Sequence, residues 1–233
     1  MANIATTNIT SGNSNTPATS FNTASVTPTA NRICLLAVGA SGGALPNTPT
    51  VTGASATWTK IADVGINGFV RLTIFATFNA APGTGALTID FGGQSQDRCA
   101  WVLDNFTNTR ITGVNGANAI VQAITNSAAS DTTVIATLAT FSNTANATYG
   151  ACLTQNATLR NIAAGTGFTE TIETDTADFM ALSTEFRNDN DTSVDFTASG
   201  SSSHLGVVGI ELANLSTEVT PGTGAVNFLM GLQ

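Results

Sequence analysis

Along most of this chain apolar and polar residues alternate one by one, and no segment sustains the three-to-four-residue spacing of an amphipathic helix. The stretch FVRLTIFATF (69–78) sets Val70, Leu72, Ile74, Ala76 and Phe78 on one face and Arg71, Thr73 and Thr77 on the other. GALTIDF (85–91) turns Leu87, Ile89 and Phe91 inward, and DRCAWVLDNF (97–106) groups Cys99, Trp101 and Leu103. Segments 131–141, 147–155, 167–173 and 204–213 behave alike, and Gly, Pro and Asn clusters separate them. FMALSTEFR and TSVDFTAS flank Asn188–Asp191 and predict a hairpin that opposes Phe186 to Val194. The spacing predicts an all-β fold, an antiparallel, jelly-roll-like β-sandwich of about ten to fourteen strands. It gives one core and no repeat of the propeller or solenoid kind. The expected organisation is a polar N-terminal arm (1–20), a sandwich domain (21–213) and a C-terminal extension (214–233).

Composition supports the same class and excludes others. Thr favours strands, while Asn, Ser and the 22 glycines favour turns. Charged residues are only 9% of the chain, with 7 basic against 15 acidic, so no basic stripe exists to neutralise a nucleic-acid backbone. No apolar run approaches the roughly 20 residues of a membrane span. The opening MANIATTNITSGNSNT lacks a basic and an apolar region, so no signal peptide is expected and synthesis is placed in the cytoplasm. Cys34, Cys99 and Cys152 each sit in an apolar stretch and read as buried free thiols; a zinc site would need His204, the sole histidine, as its fourth ligand.

Several patterns suggest chemistry. Gly39-Ala40-Ser41-Gly42-Gly43 fits G-x-S-x-G, the nucleophile elbow of α/β-hydrolases. That motif works only where a helix follows the strand, and ALPNTPTVTG, with two prolines, denies one. Ser41 therefore reads as loop, with no catalytic role. Glu170 with Glu185, or Asp97 with Asp104, would be the carboxylate pairs of a glycosidase, but aromatic sugar platforms are scarce. Glu173, Asp175, Asp178, Glu185, Asp189, Asp191 and Asp195 form two acidic stretches that a calcium ion would suit. Neither matches an EF-hand loop, and solvated turns are the plainer reading. Lys60, the only lysine, reads as an ordinary side chain. No catalytic, cofactor or metal residue is assigned.

Taken in order, FNTASVTPTANRICLLAVGASGG, PTVTGASATWTKIADV, RLTIFATFNAAPGTGALTIDFGGQSQDRCAWVLDNF, NATYGACL, STEFRNDNDTSVDFTAS and GVVGIELA resemble the β-sandwich, jelly-roll-like proteins of tailed-phage and prophage structural gene regions. The resemblance spans about residues 20–213, rests on strand and turn patterns, and carries over no functional residue. It implies a virion surface component: a homo-oligomeric capsid decoration protein bound to the major capsid protein or other virion subunits, or a tail or head-fibre component. Beyond the resemblance, the extension holds a Pro-Gly-Thr-Gly hinge and then Val226, Phe228, Leu229, Met230 and Leu232. Such an apolar tail either folds back on its own domain or docks on a neighbour. The competing expectation is a surface carbohydrate-binding or adhesive module with an aromatic platform at Trp58 or Tyr149.

Overall fold

The structure, a computed structural model, describes residues 2–156, 161–176, 179–200 and 203–215. In the first half the strands are β1 (Ala5–Ser14), β2 (Ser20–Val26), β3 (Ile33–Ser41), β4 (Thr50–Gly53), β5 (Thr59–Ile66), β6 (Val70–Phe78), β7 (Gly85–Asp90) and β8 (Arg98–Thr107). A 3-10 turn, Val114–Ala119, then leads into the second half. There they are β9 (Ile120–Asp131), β10 (Thr133–Thr137), β11 (Ala147–Gln155), β12 (Ile162–Ala164), β13 (Thr169–Thr176), β14 (Met180–Arg187), β15 (Ser193–Ala198) and β16 (Ser203–Leu212). All pairings are antiparallel, as the alternation demands. No helix among the described residues is long and apolar enough to cross a membrane.

The sixteen strands among the described residues exceed the expected ten to fourteen, and their order explains why. The first half makes a five-stranded sheet, β1-β8-β3-β6-β5, and a three-stranded sheet, β2-β7-β4. The second half makes β9-β16-β11-β14-β13 and β10-β15-β12. Adding eight to each label of the first half gives the second. Even the irregularities repeat: β5/β6 carries a bulge between Lys60 and Ala62, and β13/β14 carries one between Glu170 and Ile172. Two units of one topology therefore stand in tandem.

The two five-stranded sheets pack face to face, and each carries its three-stranded sheet on the far side. This four-layer stack holds three apolar clusters where one core was expected. The central cluster unites Leu35, Leu72, Ile74 and Val102 with Tyr149, Leu153, Leu182 and Ile210. The outer ones gather Leu36, Trp101, Leu87 and Ile89 in the first half, and Cys152, Val207, Val194 and Phe196 in the second. Each fully buried Leu, Ile, Val or Phe contributes about 1.5–3 kcal/mol, which makes the central layer the main adhesive between the units.

Two-sided burial accounts for the unbroken apolar run ICLLAVGAS in β3. Ile33, Leu35 and Ala37 enter the central cluster, and Cys34, Leu36, Val38 and Ala40 enter the outer one. The same covering buries Thr73 and Thr77, which alternation alone placed opposite the core.

Two further expectations are corrected. β14 and β15 do not form a hairpin: β14 pairs with β11 and β13, and β15 with β10 and β12 in another sheet. Leu182 and Phe186 face the central cluster while Val194, Phe196 and Ala198 face the outer one, so both inward sets hold but meet different partners. Residues 5–14 are no arm. They pair with β8 as an edge strand, and Ile4 and Ile9 anchor them in the central and outer clusters.

Candidate functional site

β3 ends at Ser41, and no helix follows it. Ser41 is the buried last residue of that strand rather than a loop residue, and its Oγ has no partner among the described residues.

Asp97 lies just before β8 and Asp104 seven residues along the same chain, about 20 Å away at strand rise. That is far beyond the reach of a carboxylate pair. Glu170 and Glu185 do meet, as direct cross-strand neighbours. Glu185, however, is wholly buried between β14 and the outer sheet, where a substrate has no access. Its Oε2 accepts from the Gly165 N–H at 2.8 Å and its Oε1 has no partner among the described residues. Burial, reinforced by Asp195, Asp191 and Glu170, pushes its carboxyl up to about 8.

The acidic turn after β14 carries its own cation. Arg187 Nε lies 2.8 Å from Asp189 and Nη1 2.5 Å from Asp191, which occupies the carboxylates a calcium ion would need. Asp178 lies outside the described residues. Cys34 and Cys99 share the first outer cluster and Cys152 the second, so the three thiols cannot share one metal with His204. They are free and buried, and desolvation pushes Cys34 up to about 12. Lys60 pairs with Asp63 at 2.8 Å on the surface.

Tyr149 cannot be a sugar platform, because it is fully buried in the central cluster. Its hydroxyl donates to Asp104 Oδ2 at 3.1 Å, as does Thr184 Oγ1 at 3.1 Å, while Asn8 Nδ2 donates to Oδ1 at 3.0 Å. Asp104 from the first unit is thus held by Tyr149 and Thr184 from the second. Burial raises its pKa and these three bonds oppose the rise. Trp58 packs half-buried against the first outer cluster.

Concave regions are present on the surface of the described residues. One, of about 380 Å³, collects Asn67, Phe69, Gln155, Asn156 and His204 where the units meet, and Phe69 is 49% exposed there. A second, of about 470 Å³, surrounds Leu215, Asn108 and Arg32. A third, of about 540 Å³, is a groove between the open edges of β1 and β13, from Ile4 to Asn8 on one wall and from Gly167 to Thr171 on the other. Sequence reasoning found none of them, since each joins segments distant along the chain.

The first and last described residues meet beside the second and third regions. Asn214 Nδ2 donates to the Ala2 carbonyl at 3.2 Å, and the Leu215 N–H donates to the Asn108 carbonyl at 2.8 Å. The tail therefore leaves from this pole, although Val226, Phe228, Leu229, Met230 and Leu232 lie outside the described residues. Comparison with known protein families, with curated proteins and with solved structures gives no match for this chain.

Proposed function

We propose that this chain is a non-enzymatic structural component of a virus particle, a capsid decoration protein displayed on the virion surface. The observation that carries the reading is the meeting of Ala2 with Asn214, the first and last described segments, at one pole of a double-unit β body. A decoration protein needs such a body and one attachment pole, and its affinity is multiplied by copy number on a symmetric shell. The interleaved order 1-8-3-6 beside 2-7-4 supports a jelly-roll-like unit, with β5 moved beside β6. The tail, through Val226, Phe228, Leu229, Met230 and Leu232, is the segment proposed to contact the major capsid protein or another copy.

The test compares the full chain with a chain ended at Leu215 in co-sedimentation with particles that lack the protein. The full chain is expected to sediment and the shortened one to remain in solution. Equal sedimentation overturns the tail's role, and failure of both forms overturns the particle reading.

A second reading has one observation in its favour. The half-exposed Phe69 beside Asn67, Gln155 and His204 offers a stacking ring among amide donors, the chemistry of a glycan subsite. Glycan-array binding that Phe69→Ala abolishes would establish it in place of the first; an array without signal removes it.

A further inference from the structure

The hollow around Arg32 holds a positive charge that no carboxylate of the described residues neutralises. Lys60 and Arg71 pair with Asp63, and Arg187 pairs with Asp189 and Asp191. Arg98 lies over the Phe179 ring, 4.5 Å from its centroid. Arg32 forms no ion pair among the described residues. Its Nη1 donates to the neutral Asn105 Oδ1 at 3.0 Å, which leaves the Nε–Nη2 edge of the guanidinium unengaged among those residues. Asp104, next to Asn105 in β8, is turned to the opposite face, where Asn8, Tyr149 and Thr184 hold it.

The duplication shows that the strands do not require this arginine. The two units relate to each other as two copies do about a two-fold axis: β1 lies against β13 as β9 lies against β5, and β3 meets β14 as β11 meets β6. Strand registers fix the equivalent residues. Ile33 pairs with Phe106 as Ala147 pairs with Leu212, so Arg32 corresponds to Asn146 and Asn105 to Glu211. The second unit thus carries an amide and a carboxylate where the first carries a guanidinium and an amide. Its carboxylate is satisfied from within, by Asn146 Nδ2 and Gln122 Nε2. Asn146 is buried, and its Oδ1 accepts from the Asn214 N–H at 3.0 Å. In the first unit the equivalent ground lies open, as the hollow of about 470 Å³.

The walls of that hollow are polar without being acidic. Ile33 pairs with Phe106, which sets Asn31 opposite Asn108, and both have φ 58°. Left-handed backbone is uncommon outside glycine, and such conformations collect at binding sites. Thr109 is 3% exposed, and its Oγ1 is buried without a partner among the described residues. A buried hydroxyl in that state is destabilising until something it can bond arrives. Ile111 and Leu215 add apolar surface, and no carboxylate of the described residues lines the hollow.

We infer that this hollow binds a carboxylate, gripped side-on by the Nε–Nη2 edge of Arg32 with Thr109 Oγ1 as the neighbouring donor. The planar guanidinium edge matches the two oxygens of a carboxylate. One guanidinium balances one negative charge, whereas a phosphate dianion leaves a charge over in a chain of net −8. Ile111 and Leu215 suit the short methylene stem of an acidic side chain or of a small dicarboxylic acid. The site does not depend on the particle reading, and its test uses purified protein alone.

Isotope-labelled full-length protein is titrated with succinate, with the peptide acetyl-Gly-Glu-Gly-amide and with inorganic phosphate, at one ionic strength set with sodium chloride. Saturable shifts of the Arg32 Nε–H and of the Asn31 and Thr109 backbone signals are expected with both carboxylates. Tighter binding of the peptide assigns the site to a protein partner, and tighter binding of succinate assigns it to a free acid; either supports the inference. Arg32→Asn installs the residue that the equivalent position already holds, so the fold is retained, and should weaken binding about tenfold or more. Thr109→Val should weaken it as well, and Arg98→Gln, at the far end of β8, should not. Absence of shifts, equal binding by the parent and Arg32→Asn, or tighter binding of phosphate than of either carboxylate overturns the inference. So does binding that appears only after Glu218→Gln, because the chain's own carboxylate would then be the occupant.

Discussion

Glu185 is a carboxylic acid that folding has made harder to ionise, from the ordinary 4.5 up to about 8. The sign follows directly. Between those values the folded chain holds a proton that the unfolded chain has released, so stability falls as pH rises through that window and is flat above it. Glu185→Gln keeps an acceptor for the Gly165 N–H and removes the ionisation. Each pK unit is worth about 1.4 kcal/mol and each kcal/mol about 2–4 °C in a chain of this size. The variant is therefore expected to melt on the order of 5 °C or more above the parent at pH 8.5, and to match it below pH 4.5. Melting curves across that range check it, and a constant difference at all pH values would remove burial of the charge as the cause. Asp104, whose pKa burial also raises, differs in having three donors. Tyr149→Phe withdraws one of them and should cost about 2 kcal/mol in urea unfolding, a loss within ~0.5 kcal/mol of zero marking the bond as dispensable. Neither role was legible beforehand. A glutamate and an aspartate in alternating strands look like solvated faces until a second sheet covers them.

β3 shows what the sequence does and does not reveal about an element. The apolar run Ile33–Val38 was legible as a buried strand, because it leaves no solvent face, whereas its continuation to Ser41 was hidden by the glycines, which read as loop. The inward sets of β6, β7 and β8 were legible from alternation, although β8 also turns Ala100, Val102 and Phe106 into the central cluster. β1 was not, because its threonines and asparagines pair along a sheet edge with only Ile4 and Ile9 as anchors. The false hairpin of β14 and β15 came from reading adjacency in sequence as pairing, whereas Arg187, Asp189 and Asp191 tie the turn that carries the chain from one sheet to another. At Gly39 the absence of a side chain is itself the fit. A Cβ there would lie 2.4 Å from Leu153 Cδ1, so Leu153 would have to shift to admit one. Gly39→Leu is expected to destabilise by about 1–3 kcal/mol or more. Adding Leu153→Ala should recover part of that loss, a coupling that a double-mutant cycle measures and that strict additivity would refute.

The duplication explains both the size of the body and its invisibility in the sequence. What repeats is strand order and bulge position; the residues themselves diverge, Lys60 standing opposite Glu170 and Arg71 opposite Ala181 in the equivalence. The groove was hidden for the same reason, since its walls are more than 150 residues apart in the chain. Gly39 and Leu153 are equivalent positions, and they touch each other across the axis. A pair of first units would set glycine against glycine and leave a hole, and a pair of second units would set leucine against leucine and clash. Fragments 1–118 and 119–233, which divide the chain ahead of β9, should therefore prefer each other. Expressed alone, each exposes one apolar face of a five-stranded sheet, Leu35, Leu72 and Ile74 on one side and Leu153, Leu182 and Ile210 on the other, and should self-associate or precipitate. Expressed together they should co-purify in equal amounts and melt in one transition. Recovery of fragment 1–118 as a folded monomer would mean that the central cluster is an accessory contact between independent units, and mixed pairing without preference would mean that the Gly39–Leu153 fit does not select the partner.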